Sequence, residues 1–180
     1  IHPETGDLWI GTLSGVKMIR ASDGTVVNLD IKLPRDNSRL FVQHLLIDNN
    51  SDVWMNTQDT LYKWSETNAQ FMPQENTSDD TLIINHFIEE SDTNLVIATN
   101  KGVYKFNKQT MQWSKPIVSK IDAVHVFLDR QNYLWIGANN VGLVKTSIVD
   151  AENNIAPIPI KELTNEIVSD IIQTQNNDIW

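Results

Sequence analysis

One segment keeps returning along this chain. GDLWIGTLSGVKMI near the start comes back as SDVWMNTQDTLYKW, as TNLVIATNKGVYKF and as NYLWIGANNVGLVK, and NDIW begins it again at the end. The anchoring positions Trp9, Trp54, Val96, Trp135 and Trp180 lie 45, 42, 39 and 45 residues apart. A period of roughly 40 to 50 residues is that of one four-stranded propeller blade, and length differences of this size fit insertions in surface loops.

Each repeat reads in the same order. A first apolar strand is predicted over residues 41–47, 82–88, 123–128 and 167–172. Polar turns follow at 48–52, 90–94 and 129–132, whose Asn, Asp and Ser side chains bond their own backbone and mark hairpins. The second strand carries the anchor, and a third is opened by Gly15, Gly102 or Gly142, with Thr60-Leu61 departing from that pattern. A weak fourth strand, over 26–29, 69–72 and Gln112-Trp113, belongs at the outer rim. Short strands at even spacing without a sustained helical period predict an all-β fold. We expect a β-propeller segment of about four four-stranded antiparallel blades from a larger propeller. Its divisions would be a partial blade over 1–37, blades over 38–79, 80–118 and 119–162, and a partial blade over 163–180. A buried Trp contributes about 4 to 6 kcal/mol of apolar burial as an upper estimate. The smaller Val96 therefore predicts a blade that is locally looser, or filled by Phe87 or Tyr104.

Charge narrows the partners. With 23 acidic against 14 basic residues and a net charge of −9, the chain repels nucleic acid and anionic membrane surfaces. It has no cysteine, so disulfides and thiolate metal sites are excluded. No apolar run approaches the roughly 18 residues that span a bilayer, and neither end reads as a natural domain boundary. An arc of blades would leave two apolar sheet faces uncovered, so self-association is expected.

The frame of an Asp, a few turn residues, Leu-Trp-Ile-Gly-Thr and then Gly-Val or Gly-Leu resembles the two-component regulator propeller repeat. It is fullest in Gly6-Asp7-Leu8-Trp9-Ile10-Gly11-Thr12 with Gly15-Val16, and in Asp129 with Leu134-Trp135-Ile136-Gly137 and Gly142-Leu143. Two copies depart: Trp54-Met55-Asn56-Thr57 lacks the glycine, and Val96-Ile97-Ala98-Thr99 lacks the tryptophan. The resemblance implies the periplasmic, ligand-sensing region of a bacterial receptor. Its output module, a histidine kinase or diguanylate cyclase, would lie beyond a membrane span outside this sequence. Its partners would be the remaining blades, the downstream receptor domains and a small molecule, commonly a carbohydrate fragment.

The main alternative is a propeller lyase or hydrolase acting on polysaccharide or cyclic peptide. Such an enzyme needs a base at the channel mouth on one blade. The polar residues here recur with the period instead, so the chain reads as a recognition module, not an enzyme, with no cofactor and no metal. The sialidase Asp-box frame is absent from every repeat. The acidic turn 48–52 lacks the closing Glu of a calcium loop and reads as a solvated hairpin. Ten residues before successive anchors stand His44, His86, His125 and Asp170, a row expected on the innermost strands. The principal expectation is that each imidazole bonds a backbone group of the next blade; a ligand-facing or pH-sensing row is the other option. Tyr62 and Tyr104, on equivalent third strands, are the candidates for stacking a sugar ring, or else for packing between blades.

Overall fold

The computed structural model describes residues 1–31, 41–76, 82–153, 156–164 and 166–180, in two compact units, Ile1–Ile84 and Asn85–Trp180. The expected blade boundaries at 37/38 and 79/80 lie outside the described residues.

In the first unit, β1 (Leu8–Thr12), β2 (Gly15–Ile19) and β3 (Val26–Ile31) form the second, third and fourth strands of one repeat. The next repeat supplies β4 (His44–Ile47), β5 (Val53–Asn56), β6 (Leu61–Ser65) and β7 (Gln70–Gln74). Each set is an antiparallel meander, as predicted. The two are joined where β3 and β7 pair in parallel over Asp30–Gln70 and Ile31–Phe71, giving the order β1-β2-β3-β7-β6-β5-β4. The sequence did not predict this junction. It gives each of two rim strands a partner, which blunts an otherwise open edge. Val16, Val42, Val53, Met55, Tyr62 and Phe71 form the core of this unit, with Trp9 and Trp64 packed against it.

In the second unit, β8 (Ile84–Ser91), which starts at the last residue of the first, is followed by β9 (Asn94–Thr99), β10 (Gly102–Asn107) and β11 (Gln112–Trp113). β12 (Val118–Ser119) adds to β10. The expected boundary at 118/119 therefore falls inside a strand that belongs to this blade. β13 (Ala123–Leu128), β14 (Tyr133–Ala138), β15 (Gly142–Ser147) and β16 (Ile158–Pro159) make the next sheet. Between β15 and β16 a short helix α1 (Ile148–Glu152) appears where no helix was predicted. Ser147 caps it by accepting the Asp150 amide at 3.0 Å, and five residues are too few to show a helical period. The boundary at 162/163 lies within a 3-10 turn, Lys161–Leu163.

The strand predicted over 167–172 is a correction. Only Ile172 is paired, exchanging both backbone hydrogen bonds with Trp180 at 3.0 and 2.9 Å, beside a bridge from Gln173 to Ile179. Asp170 Oδ1 accepts the Ile171 amide at 2.8 Å, a local bond that competes with strand pairing. Val96 is not loosely held either. It is fully buried in a cluster with Ala98, Val103, Ala123, Val126, Leu134 and Ile136.

The glycine of the Trp-Ile-Gly motif has a steric cause. A Cβ on Gly11 would lie 2.7 Å from a Val42 methyl, and one on Gly137 would lie 2.9 Å from the Val168 Cβ and carbonyl oxygen. Val42 and Val168 occupy one repeat position, twelve residues before an anchor, so the glycine lets the following repeat approach. The departing copies solve the same contact otherwise. Ala98 is matched by the small Ala123 twelve residues before Trp135, while Asn56 uses its amide, donating to the Ile84 carbonyl at 2.9 Å and to Gln43 Oε1 at 3.0 Å. At the turn without glycine, Asp59 Oδ1 accepts both the Thr57 and Thr60 hydroxyls at 3.1 Å.

Candidate functional site

Two sets of repeated residues carry the chemistry: the anchors with their turns, and the first-strand row. Asp48 stands six residues before Trp54, is 3% exposed, and does three things. Its Oδ1 accepts the amides of Asn50 and Asp52 at 3.0 and 2.9 Å, and its Oδ2 accepts the Trp54 indole N–H at 2.9 Å. Asp129 repeats the arrangement on the Gln131 and Tyr133 amides at 2.9 and 2.8 Å and on the Trp135 indole at 2.8 Å. The turn 48–52 is the expected hairpin, with Asn49 and Asn50 exposed at its tip, but it is not solvated throughout. Its leading carboxylate is buried, and both oxygens are committed to N–H donors that hold the turn and the anchor together. The signal was present in the sequence as an Asp six residues before a Trp in two copies.

The first hairpin is a variation on this clamp. Its turn is one residue longer, His2 N–H donating to Asp7 O at 2.8 Å, and His2 takes the aspartate's place. Its Nδ1 accepts the amides of Glu4 and Thr5 at 3.3 and 3.4 Å, and its Nε2 lies 3.0 Å from the Ser51 carbonyl. With Nε2 donating there, His2 offers nothing to Trp9, whose buried indole N–H has no acceptor among the described residues.

In three repeats the strand facing the anchor brings a lysine over it. In register, Trp54 faces Lys63, Val96 faces Lys105 and Trp135 faces Lys145. The Lys63 ammonium lies 5.2 Å from the Trp54 ring centre and 2.7 Å from Asp52 Oδ2. Lys145 lies 4.7 Å from the Trp135 centre and 3.8 Å from that of Tyr133. Lys105 has no ring beneath it and pairs with Glu152 at 2.7 Å and Glu90 at 3.6 Å.

Of the first-strand row, the second unit holds three members, and the fold brings them together. His86 on β8 and His125 on β13 stack with ring centres 4.0 Å apart and planes at 23°. His125 Nε2 then meets Asp170 Oδ1 at 3.3 Å. The expectation that each imidazole bonds a backbone group gives way, for His125, to contacts between side chains. The register against β14 shifts between Ala123 and His125, directly before the ring. Burial holds the His125 imidazole below its ordinary value, and the Asp170 carboxylate opposes this. His125 is 13% exposed and Asp170 72%, so the acidic end of the row is the open one. His44 opens β4 opposite Asn56 in the first unit and is half-buried.

The two tyrosines do not present faces for a sugar. Tyr62 is fully buried among Met55, Phe71 and their neighbours, and burial pushes its hydroxyl above the usual phenol value, Thr60 and Thr57 opposing. Tyr104 is 8% exposed and meets Trp113 edge-on at 6.3 Å. Each directly precedes the lysine that faces the anchor, and both are buried there.

Comparison with known proteins supports this architecture. No protein-family model and no curated protein matches the chain. The chain superposes on the extracellular domain of a protein described as the hybrid two component system BT4673 from B. thetaiotaomicron. The TM-score is 0.80 at 20% identity, over 98% of this chain and 25% of that one. It also superposes on virginiamycin B lyase from Staphylococcus aureus, with a TM-score of 0.74 at 15% identity, over the whole of this chain and 60% of that one. The catalytically inactive histidine-to-alanine form of that lyase, with quinupristin, gives 0.71 at 14% identity over the same shares. The chain thus spans a quarter of the first protein and three fifths of the second. Likeness at these identities establishes the fold: the chain is a run of β-propeller blades, with the architecture found in extracellular domains of two-component systems.

Proposed function

We propose that this chain is a ligand- or partner-sensing β-propeller module from the extracytoplasmic part of a bacterial signalling receptor. The observation that carries the reading is the superposition of 98% of the chain on the extracellular domain of a two-component system, together with the repeat frame. The recognition surface is the first-strand row, with His86, His125 and the open Asp170 offering ring edges and a carboxylate to the hydroxyls of a small polar ligand such as a carbohydrate fragment. Polar side chains at fixed spacing suit oriented hydrogen bonding. The test is a thermal-shift panel of oligosaccharide fragments on this chain and on His125→Ala. We expect at least one fragment to raise the melting temperature, and the rise to disappear in the variant. A rise that survives in the variant would remove the row from the reading, and a panel without any rise would overturn carbohydrate sensing.

A second reading rests on the superposition with virginiamycin B lyase and on the His125–Asp170 contact, which resembles a base with an orienting carboxylate. Incubation with quinupristin separates the two, since a sensor leaves it unchanged and a lyase of that kind consumes it.

A further inference from the structure

A cavity of about 450 Å³ lies in the first unit against the face of the first anchor. Its apolar wall is Trp9, Met18 and Trp64, the two indoles meeting edge-to-face at 5.3 Å, and its rim carries the carboxylates of Glu4, Asp7 and Glu66.

The other repeats show what this place ordinarily holds. At the position facing the anchor in register, they carry Lys63, Lys105 and Lys145, whereas Trp9 faces Met18. Two residues before Trp54 stands Asp52, which pairs with Lys63 at 2.7 Å; two residues before Trp9 stands Asp7, the same counter-ion without its lysine. The first repeat thus keeps the aromatic floor and the carboxylate of the cation site, lacks the cation, and has a cavity there.

The rim carboxylates are already oriented. Asp7 Oδ1 accepts the Ala21 amide at 2.8 Å, Glu66 Oε1 the Trp64 indole at 2.7 Å, and Glu4 Oε1 the Ser51 hydroxyl at 3.2 Å. All three line the cavity, and among the described residues none of them is in an ion pair. The Ala21 amide foremost, with Thr5 and the more distant Arg20 charge, holds Asp7 below the usual carboxylate range, so it is ionised at neutral pH.

We propose that this cavity binds a primary alkylammonium group supplied by a ligand, in the place that lysine occupies in the other repeats. The ammonium lies over the Trp9 and Trp64 rings beside Asp7, and Met18 contacts the methylene stem. A cation on an indole face with a carboxylate beside it gains from both partners. This site is independent of the first-strand row and does not rest on the sensing reading.

The test uses n-butylammonium chloride as the probe on the 180-residue chain, followed through the indole ¹H–¹⁵N signals, with sodium chloride and n-butanol as controls. We expect the Trp9 and Trp64 signals to move saturably with butylammonium and not with either control. In Met18→Lys, the chain's own lysine fills the cavity, and affinity should fall by about tenfold or more with the fold intact. Met18→Leu should keep the binding and Asp7→Asn should weaken it. Acetyl-lysine amide, run in parallel, tells a lysine side chain from a free amine by which of the two binds more tightly. The proposal is overturned if butylammonium leaves the indoles unmoved, if butanol binds equally well, or if Met18→Lys binds as the unaltered chain does.

Discussion

The hairpins around Trp54 and Val96 occupy the same place in consecutive repeats and are held by different physics. At Trp54 the anchor is a fully buried indole, fixed by a buried carboxylate that accepts its N–H and two backbone amides. At Val96 the smaller anchor packs into its aliphatic cluster, and ion pairs flank it on the facing strand and in the turn. Glu90 takes the place of the clamping aspartate and shares Lys105 with Glu152, while Glu89, where the other copies have Ile47 and Leu128, pairs with Lys108 at 2.7 Å. The Lys108 and Glu89 side chains are 3% and 14% exposed, so this pair is largely out of water. The difference teaches that the repeat conserves a position, not an interaction. Both anchors are buried, and the copies differ in what stands before them in the turn: a buried carboxylate on N–H groups at Asp48, carboxylates in ion pairs at Glu89 and Glu90. The second arrangement contributes less per contact, since desolvation offsets much of the attraction of an enclosed pair.

The largest test is truncation of the anchors. Trp54→Ala should lower the unfolding free energy by about 3 to 5 kcal/mol and Val96→Ala by about 2 kcal/mol, read by chemical denaturation. Equal losses would mean that anchor volume does not set the stability of a blade.

The next compares the residues six positions before the anchors. Asp48→Ala strips the acceptor from three N–H groups, one of them on a fully buried indole, and should cost about 2 to 3 kcal/mol. Glu90→Ala leaves Lys105 with Glu152 and should cost under about 1 kcal/mol. Raising the salt concentration should shrink the Glu90 effect and leave the Asp48 effect in place. The opposite ranking would break the comparison.

The smallest effect sets burial against charge pairing within one residue. At His125 burial lowers the imidazole value and Asp170 raises it, with burial dominant. The unfolded chain therefore takes up a proton more readily than the fold at this position. The stability His125 contributes is present in full above the unfolded imidazole value of about 6.5, and is lost as pH falls from there through the lowered folded value. The groups facing the ring are His86 and Asp170. Melting temperature should fall between pH 7 and pH 5.5 by more than it does in His125→Gln, a difference of a few degrees. Asp170→Asn, which removes the opposing charge, should enlarge the fall. A fall that is the same in all three proteins would show that neither burial nor pairing shifts the ring.

Much of this was legible in the sequence because a propeller repeats. Apolar strands, turn residues and the anchor recur at a period that no other common all-β arrangement shares, so the fold class and the meander order followed from spacing alone. The row of His44, His86, His125 and Asp170 was visible for the same reason, as a position counted back from the anchors. What a period cannot carry is the direction of each side chain and the identity of its partner. The stacking of His86 on His125 joins two different sheets, and Tyr62 and Tyr104 are buried because both faces of the third strand are covered there, Leu61 and Val103 as fully as the tyrosines. The strand expected over 167–172 is replaced there by local bonding, the Asp170 carboxylate accepting the Ile171 amide. The open cavity at Trp9 required the register of β1 against β2, which shows that Met18 stands where other repeats place a lysine. The chain by itself determined the repeat, because hydrophobic spacing is a one-dimensional property. Only the tertiary structure decided which polar groups are clamped, stacked or left open, because those depend on register, burial and neighbours that are distant in sequence.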